Sequence, residues 1–185
     1  MKYYTGEIIF LGNRNTGKTT FINKFMRTDV KSYAVQQPTV GVDFIVYKKN
    51  INGKNITLTF WDTSGDFNFI NITKDYIQRS KLIIIFYDIT DNKCIENIDM
   101  WVDVARTYSK YPIYLIGNKN DLYTDRKVSK LDIQMYAEQN NITLHDEINI
   151  IDVNFNNIFM KIYRNIKDNL DENNEQITKR KCIIS

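Results

Sequence analysis

Cysteine is scarce in this chain, and the two that occur, Cys94 and Cys182, lie far apart in the sequence. Two distant cysteines do not make a disulfide framework, so we expect a protein of a reducing, intracellular compartment. Apolar runs long enough to span a bilayer are missing. The opening MKYYTGEIIFLGNRN has a short apolar run that Glu7 interrupts and a glycine loop follows, which predicts a buried strand rather than a signal peptide.

Strong charge of one sign is also missing. The net charge is +3, and the basic residues are spread along the chain without a stripe of interleaved aromatics, which argues against nucleic-acid binding. Proline-rich linkers and internal repeats are absent as well. We therefore expect 185 residues with 43% hydrophobic content to form one domain over 1–170 and a flexible polar tail over 171–185, where the apolar pattern stops.

Strands and helices alternate in the predicted secondary structure. Continuous apolar runs predict buried parallel strands, and Asn52-Gly53 between two β-rich runs predicts a hairpin because both residues tolerate positive φ. Five strands are located by such runs, at 4–11, 42–51, 55–61, 81–88 and 113–117, and a sixth is not located. The predicted helices are 17–26, 95–108, 131–140 and 155–170, the last with Ile158, Ile162 and Ile166 at helical spacing. The predicted fold class is α/β, a mostly parallel six-stranded sheet with one antiparallel edge hairpin and helices on both faces.

The sequence GNRNTGKT at 12–19 matches a phosphate-binding loop: glycine, four residues, glycine, lysine, then serine or threonine. A predicted strand precedes it and a predicted helix follows, which disfavours a chance glycine-rich turn. In such a loop backbone N–H groups face the phosphates, Lys18 reaches the β- and γ-phosphates and Thr19 offers its hydroxyl to Mg²⁺. The residues predicted here to bind nucleotide are Asn13, Arg14, Asn15, Thr16, Gly17, Lys18, Thr19 and Thr20.

A second motif, Asn118-Lys119-Asn120-Asp121, follows the predicted strand 113–117. A carboxylate accepts two adjacent hydrogen bonds from the N1–H and the exocyclic amine of guanine, whereas adenine has no N1–H to donate. Asp121 therefore selects guanine, the stem of Lys119 can lie along the base, and Asn118 can tie this loop to the phosphate loop. A polar turn after a strand is common, but its combination with a phosphate loop is not.

With these motifs the chain resembles the Ras superfamily of small GTPases, and within it the Rab branch, over residues 5–170. The resemblance also rests on PTVGVDF at 38–44, in the first switch, and on WDTSG at 61–65, which opens the second. It implies a switch in which Thr39 binds Mg²⁺ and the γ-phosphate, Asp62 holds Mg²⁺ through water and the Gly65 amide binds the γ-phosphate.

The Rab branch is indicated by the GVDF and WDT runs in these switches and by Ile72-Thr73 followed by Tyr76. In Rab proteins an aromatic trio that matches Phe44, Trp61 and Tyr76 faces effector proteins. The resemblance therefore implies an effector surface at these residues. The alternative is that the three aromatics only cover the sheet.

Two departures from the family meet beside the γ-phosphate. The family's water-positioning Gln falls on Asp66, and a carboxylate accepts hydrogen bonds but cannot donate them. Two unit charges about 4 Å apart at an effective dielectric near 20 repel by roughly 4 kcal/mol, so Asp66 should turn away, take up a proton or pair with a cation. Arg14 replaces a small residue; it either pairs with Asp66, acts as an arginine finger in cis, or is solvated. The predicted catalytic residues are Asp66, Arg14, Thr39 and Lys18.

A third departure affects the base. The family's Ser-Ala-Lys loop falls near 147–150, which here reads Glu-Ile-Asn-Ile. Asn149 and Ile150 remain our predicted base contacts, with weaker affinity or faster exchange. The interval from Thr19 to Thr39 is slightly longer than in typical Rab proteins, and Tyr33 is the residue predicted to cover the edge of the base.

The end of the chain, KRKCIIS over 179–185, has the prenylation pattern of Cys182, two aliphatic residues and Ser, which favours farnesyl. The basic trio before it suits anionic lipid, although a cysteine with this spacing also occurs by chance. One prenyl chain with acidic residues upstream predicts reversible attachment to the cytosolic face of a membrane by an otherwise cytoplasmic protein. Rab proteins more often end in two cysteines, so this end is closer to Ras.

Two classes of function remain. The first is a monomeric GTPase switch in membrane trafficking or signalling, which binds GTP or GDP with Mg²⁺, hydrolyses GTP slowly and works with effectors, an exchange factor, an activating protein and a prenyl-binding chaperone. The second is a GTP-binding scaffold with negligible hydrolysis that recruits effectors to a membrane. A metabolic phosphate-loop kinase is a distant third, because Asp121 and the switch segments would have no role in it.

Overall fold

The computed structural model describes residues 2–27, 39 and 41–174. The strands are β1 Lys2–Leu11, β2 Val42–Ile51, β3 Lys54–Thr63, β4 Leu82–Asp88, β5 Ile113–Asn118, β6 Leu144–Glu147 and β7 Asp171–Asn174. The α-helices are α1 Lys18–Arg27, α2 Ile70–Arg79, α3 Cys94–Tyr108, α4 Lys130–Gln139 and α5 Phe155–Ile166. The strands form one sheet in the order β2-β3-β1-β4-β5-β6, and β7 pairs with β1.

Parallel pairing dominates the sheet. The pairs β1–β3, β1–β4, β4–β5 and β5–β6 are parallel, and β2–β3 is the predicted antiparallel hairpin. Its turn has Asn52 at φ 49° and Gly53 at φ 79°, as a tight hairpin of this hand requires. The predicted α/β class, with a mostly parallel sheet and an edge hairpin, is confirmed.

Helices cover both faces, and each face has its own core. On one face, Phe21 and Phe25 of α1 pack with the predicted apolar stripe of α5, Ile158, Ile162 and Ile166, all of which are buried. The other core is formed with α3 and α4. Burial of these stripes against the apolar strands is the main favourable contribution to folding.

The sheet differs from the prediction at its polar strands. The predicted tail begins at 171, but Asp171–Asn174 forms β7, which pairs antiparallel with Lys2–Thr5 of β1. The sheet therefore has seven strands rather than six. Strand β6 has only four residues and no apolar run, so its sequence does not predict a strand. Helix α5 ends at Ile166, four residues earlier than predicted, and Lys167–Asn169 continues as a 3₁₀ turn.

The parallel strands bring three loops to one edge of the sheet. Residues 12–17 follow β1, residues 64–66 follow β3 and residues 119–121 follow β5. The carboxyl ends of parallel strands are where ligands bind in open α/β sheets. None of the helices in the described part of the chain combines the length and the apolar character needed to cross a membrane.

Candidate functional site

The loop after β1 wraps around a buried lysine. Lys18 begins α1, is 4% exposed, and its Nζ donates to the carbonyl oxygens of Gly12 and Asn13, both at 2.8 Å. Burial lowers the pKa of Lys18 to about 8, an effect that the nearby Asp62 carboxylate partly offsets. A buried cation at the first turn of a helix is stabilised by an anion placed beside it. This arrangement favours an anion at the loop, as the predicted phosphate site requires.

Three oxygen-bearing side chains meet next to Lys18. Thr19 Oγ1 donates to Asp62 Oδ2 at 2.5 Å, Thr39 Oγ1 donates to the same oxygen at 3.1 Å, and the two hydroxyls are 3.1 Å apart. The second carboxylate oxygen, Asp62 Oδ1, is buried without a hydrogen-bond partner. Burial raises the pKa of Asp62, while bonds from Thr19 and Thr39 oppose that rise. Hydroxyl and carboxylate oxygens are the ligands that Mg²⁺ prefers, so these residues fit the predicted metal.

The second switch lies against the phosphate loop at Gly65. A Cβ built there would be 2.4 Å from the carbonyl oxygen of Gly12 and 2.7 Å from the amide nitrogen of Arg14, and Gly65 has φ 72°. Only glycine tolerates both the close approach and the left-handed backbone. This contact brings the Gly65 backbone to the loop that holds Lys18, as its predicted role requires.

Arg14 and Asp66 form an ion pair across the site. Arg14 Nη2 donates to Asp66 Oδ2 at 2.6 Å, and Asp66 Oδ1 accepts from the amide of Asn68 at 2.9 Å. The Arg14 side chain is 63% exposed and that of Asp66 is 21% exposed. Of the three expected outcomes for Asp66, the structure has the pairing with a cation. The carboxylate also caps the short 3₁₀ helix Phe67–Phe69.

The predicted base turn is tied to the phosphate loop. Asn118 Nδ2 donates to the carbonyl oxygen of Thr16 at 2.9 Å, which is the link predicted for Asn118. Lys119 has φ 68°, and its ammonium group forms an ion pair with Asp88. Asp121 lies in the first turn of the short 3₁₀ helix Asn120–Asp125 and is exposed. Its carboxylate is therefore accessible to a base.

The loop after β6 differs in character from a polar base-binding loop. The side chain of Ile150 is 7% exposed, and its Cδ1 lies 2.9 Å from a Cβ built at Gly17. Asn149 is folded back on itself, since its Oδ1 accepts from the amide of Ile151 at 2.9 Å. The side chain of Ile150 therefore has no polar group to offer a base, and the Oδ1 of Asn149 is engaged within the loop itself.

The other predicted site residues are distributed as follows. Asn15 is exposed in the phosphate loop with φ 63°, and Thr20 lies in the first turn of α1. Tyr33 and Cys182 lie outside the described residues, so their predicted roles stay predictions.

The aromatic trio assembles on the sheet and α2. The ring centroids of Phe44 and Trp61 are 5.5 Å apart, and those of Trp61 and Tyr76 are 4.3 Å apart. Phe44 is 56% exposed, and the Arg79 guanidinium lies 5.3 Å from the Trp61 ring. Trp61 Nε1 donates to Glu7 at 2.7 Å. The three predicted effector residues thus form one continuous surface.

Sequence reasoning missed one residue that joins the phosphate loop to the second switch. Trp101 of α3 is 3% exposed, and its Nε1 donates to Asn13 Oδ1 at 2.7 Å. Its ring packs edge-on against Phe67, with centroids 5.9 Å apart. The predicted helix 95–108 does not single out Trp101. The signal available was its indole N–H, which needs a partner when buried.

Trp101→Phe is expected to lower the free energy of unfolding by about 2 kcal/mol, because the hydrogen bond to Asn13 is lost and the smaller phenyl ring leaves part of the space of the buried indole unfilled. Urea denaturation measures the change. The matched comparison is a cycle with Asn13→Ala. If the effects of the two substitutions are additive, the hydrogen bond contributes nothing to stability.

Known proteins resemble the part of the chain that contains these site residues. A sequence model described as the Ras family matches residues 7–168. The chain is 35% identical over 135 residues to mouse "Ras-related protein Rab-12", covering 72% of this chain and 55% of that protein. It is 36% identical over 141 residues to mouse "Ras-related protein Rab-19", covering 75% and 64%. It is 29% identical over 181 residues to "GTP-binding protein YPT1" of Saccharomyces cerevisiae, covering 96% and 86%. The chain spans about half the length of the Rab-12 proteins that it matches.

Proposed function

The chain belongs to the Ras family, and from that premise we propose that it is a Rab-like switch that binds GTP or GDP with Mg²⁺, hydrolyses GTP slowly and acts in membrane trafficking or signalling. The observation that carries the proposal is the meeting of Thr19, Thr39 and Asp62 beside Lys18. Thr39 comes from the first switch, and Asp62 lies in the motif that opens the second. A metal and a phosphate bound here would contact both segments at once.

The residues that would bind the phosphates also respond to the loss of the last one. Lys18 and the backbone of the phosphate loop hold the phosphates, while the hydroxyl of Thr39 and the backbone of Gly65 are the groups that sense the last one. A bound Mg²⁺ would neutralise charge on the β- and γ-phosphates. When the γ-phosphate leaves, Thr39 and Gly65 lose the group that holds them, and the two switches can relax.

Slow hydrolysis is supported by the surroundings of Asp66. Both of its carboxylate oxygens already accept hydrogen bonds, from Arg14 and from the amide of Asn68. A carboxylate has no proton to donate to the charge that develops on the phosphate, and here the two hydrogen bonds hold its oxygens toward Arg14 and Asn68. The same contact supports pairing of Arg14 with Asp66 over its use as a finger on the phosphate.

The proposed partners follow from the exposed surface and the tail. The trio of Phe44, Trp61 and Tyr76 offers effectors an aromatic surface, which an exchange factor or an activating protein would approach from the switches. Prenylation of Cys182, with a prenyl-binding chaperone, would give reversible attachment to the cytosolic face of a membrane. We propose that the protein acts there as a monomer.

A second candidate is a GTP-binding scaffold that recruits effectors and hydrolyses negligibly. The observation that favours it is the Arg14–Asp66 ion pair, because it engages the residue on which the family's water-positioning Gln falls. The two candidates differ only in the rate of the chemical step.

The nucleotide that co-purifies with the protein tests the proposal. We expect about one guanine nucleotide per chain, with much of it GTP. We also expect faster release of the nucleotide when EDTA removes Mg²⁺, because Thr19 and Asp62 then lose the ion that would link them to the phosphates. Single-turnover hydrolysis with Mg²⁺ should be slower than the roughly 4 × 10⁻⁴ s⁻¹ of a small GTPase that keeps the glutamine. Bound adenine nucleotide would contradict the proposal, and bound GTP with no turnover over hours would favour the scaffold.

A further inference from the structure

Strand β6 ends in two consecutive acidic residues, and each forms a two-point ion pair. Successive strand residues point to opposite faces of a sheet. Glu147 accepts from Arg126 with both oxygens, at 2.8 Å and 2.6 Å. Asp146 accepts from Lys161 of α5 with both oxygens, each at 2.6 Å. The Glu147 pair is the more buried, because Arg126 and Glu147 are 19% and 10% exposed whereas Lys161 and Asp146 are 44% and 27% exposed.

Arg126 also holds the turn that carries Asp121. Its Nη2 donates to Asn120 Oδ1 at 3.1 Å. The amide of Asn120 donates to the carbonyl oxygen of Ile148 at 3.2 Å, one residue after Glu147. Asn120 directly precedes Asp121, so both its side chain and its backbone tie the base-reading residue to the end of β6.

In the loop after β6, the polar side chain of Asn149 accepts from the amide of Ile151 and so bonds within the loop itself. Ile148 and Ile150 are apolar and buried, at 5% and 7% exposed. A bidentate guanidinium–carboxylate pair is strong and directional, and breaking a buried pair on one side leaves an uncompensated charge. Of the contacts described here, the Glu147–Arg126 pair is therefore the stiff link between β6 and the base turn.

We propose that Glu147 is a positioning residue for guanine recognition: through Arg126 and Asn120 it fixes the direction of the Asp121 carboxylate, and so sets how strongly the protein prefers guanine. Glu147 itself does not touch the base. The inference rests on the proposed function, because it requires that Asp121 reads a guanine.

The test compares GDP with inosine diphosphate, whose hypoxanthine lacks only the exocyclic amine that Asp121 reads. Fluorescently labelled forms of both are bound with Mg²⁺, and their dissociation rates are measured by displacement. In Glu147→Gln, release of GDP should accelerate about tenfold and release of inosine diphosphate, which keeps only the N1–H bond to Asp121, about threefold. The discrimination ratio, the dissociation rate of inosine diphosphate divided by that of GDP, should therefore fall about threefold.

Two further variants separate positioning from simple stability. Asp146→Asn removes the neighbouring carboxylate from the same strand and is expected to leave the ratio unchanged. Arg126→Lys keeps the positive charge but loses the two-point geometry, so it should lower the ratio as Glu147→Gln does. Thermal unfolding of each variant shows how much of any change is general destabilisation.

An unchanged ratio in both Glu147→Gln and Arg126→Lys would overturn the inference, while the proposed function would stand on the wild-type discrimination. A wild-type protein that bound neither diphosphate would instead refute the proposed function itself. If Glu147→Gln does not fold, the ratio of Arg126→Lys decides. An equal fall of the ratio in Asp146→Asn would also overturn the inference, because that side chain has no contact with the base turn.

Discussion

Asp121→Asn is expected to lower affinity for GDP by at least about 100-fold and to make xanthosine diphosphate the preferred ligand. Guanine presents two adjacent donors, the N1–H and the exocyclic amine, and a carboxylate accepts both. An amide accepts one and donates the other bond. In guanine the amide nitrogen, a donor, therefore faces another donor. In xanthine, which has a carbonyl in place of the amine, both hydrogen bonds of the amide can form.

The position of Asp121 allows this substitution to change the contact with the base alone. Two hydrogen bonds fix its turn: Asn118 donates to Thr16, and the amide of Asn120 donates to Ile148. Between them, Lys119 adopts the left-handed backbone conformation. None of these contacts uses the Asp121 carboxylate. The substitution should therefore change the hydrogen-bond pattern offered to the base without moving the turn.

Competition of GDP and xanthosine diphosphate against a labelled nucleotide measures the change. The matched control is Asp125→Asn, the same substitution at the last residue of the same short helix, where the carboxylate is equally exposed. It should leave both affinities as in the wild type. Retention of GDP by Asp121→Asn with no gain for xanthosine diphosphate would mean that another group reads the base.

Periodic apolar patterns predict most of the fold. The stripe of Ile158, Ile162 and Ile166 predicted the buried face of α5, and Asn52-Gly53 predicted the hairpin turn, because each pattern depends only on local geometry. Strand β7 lies beyond such rules. Its residues, Asp-Glu-Asn-Asn, have no apolar alternation, and they pair where β4 leaves the first half of β1 uncovered.

The candidate site shows the same division. Motif spacing and resemblance to a family predict that Arg14 and Asp66 lie beside each other, and the structure has them in contact. The Glu147–Arg126 pair and the bond from Trp101 to Asn13 were not predicted. Their partners are separated by 21 and 88 residues in sequence, and each side chain is ordinary for its own element. Only the folded chain brings them together.

The double variant Arg14→Gly with Asp66→Gln is expected to hydrolyse GTP about 10- to 100-fold faster than the wild type in a single turnover. Gln both accepts from the attacking water and donates to the developing charge, while the wild-type carboxylate does only the first. Removing Arg14 as well prevents its guanidinium, left without Asp66, from occupying the place of the water.

The single variants should not add up to this effect, because the two side chains are in direct contact at 2.6 Å. Arg14→Gly alone leaves the Asp66 carboxylate without its cation, and two unit charges about 4 Å apart repel by roughly 4 kcal/mol at an effective dielectric near 20. We therefore expect this variant to lose affinity for GTP relative to GDP. Asp75→Gln on α2 is the control, since it removes an exposed carboxylate elsewhere in the second switch.

The comparison that decides between pairing and a finger is Asp66→Gln against the double variant. If Arg14 only neutralises Asp66, the double variant is at least as fast as Asp66→Gln. If Arg14 stabilises the transferred phosphate, the double variant is slower by tenfold or more, as expected on losing a charged donor from a transition state. Asp66→Gln also removes the carboxylate that caps the amide of Asn68, which can loosen the 3₁₀ turn. Hydrolysis rates are therefore measured with the nucleotide fully bound, so that weaker nucleotide binding does not lower the measured rate.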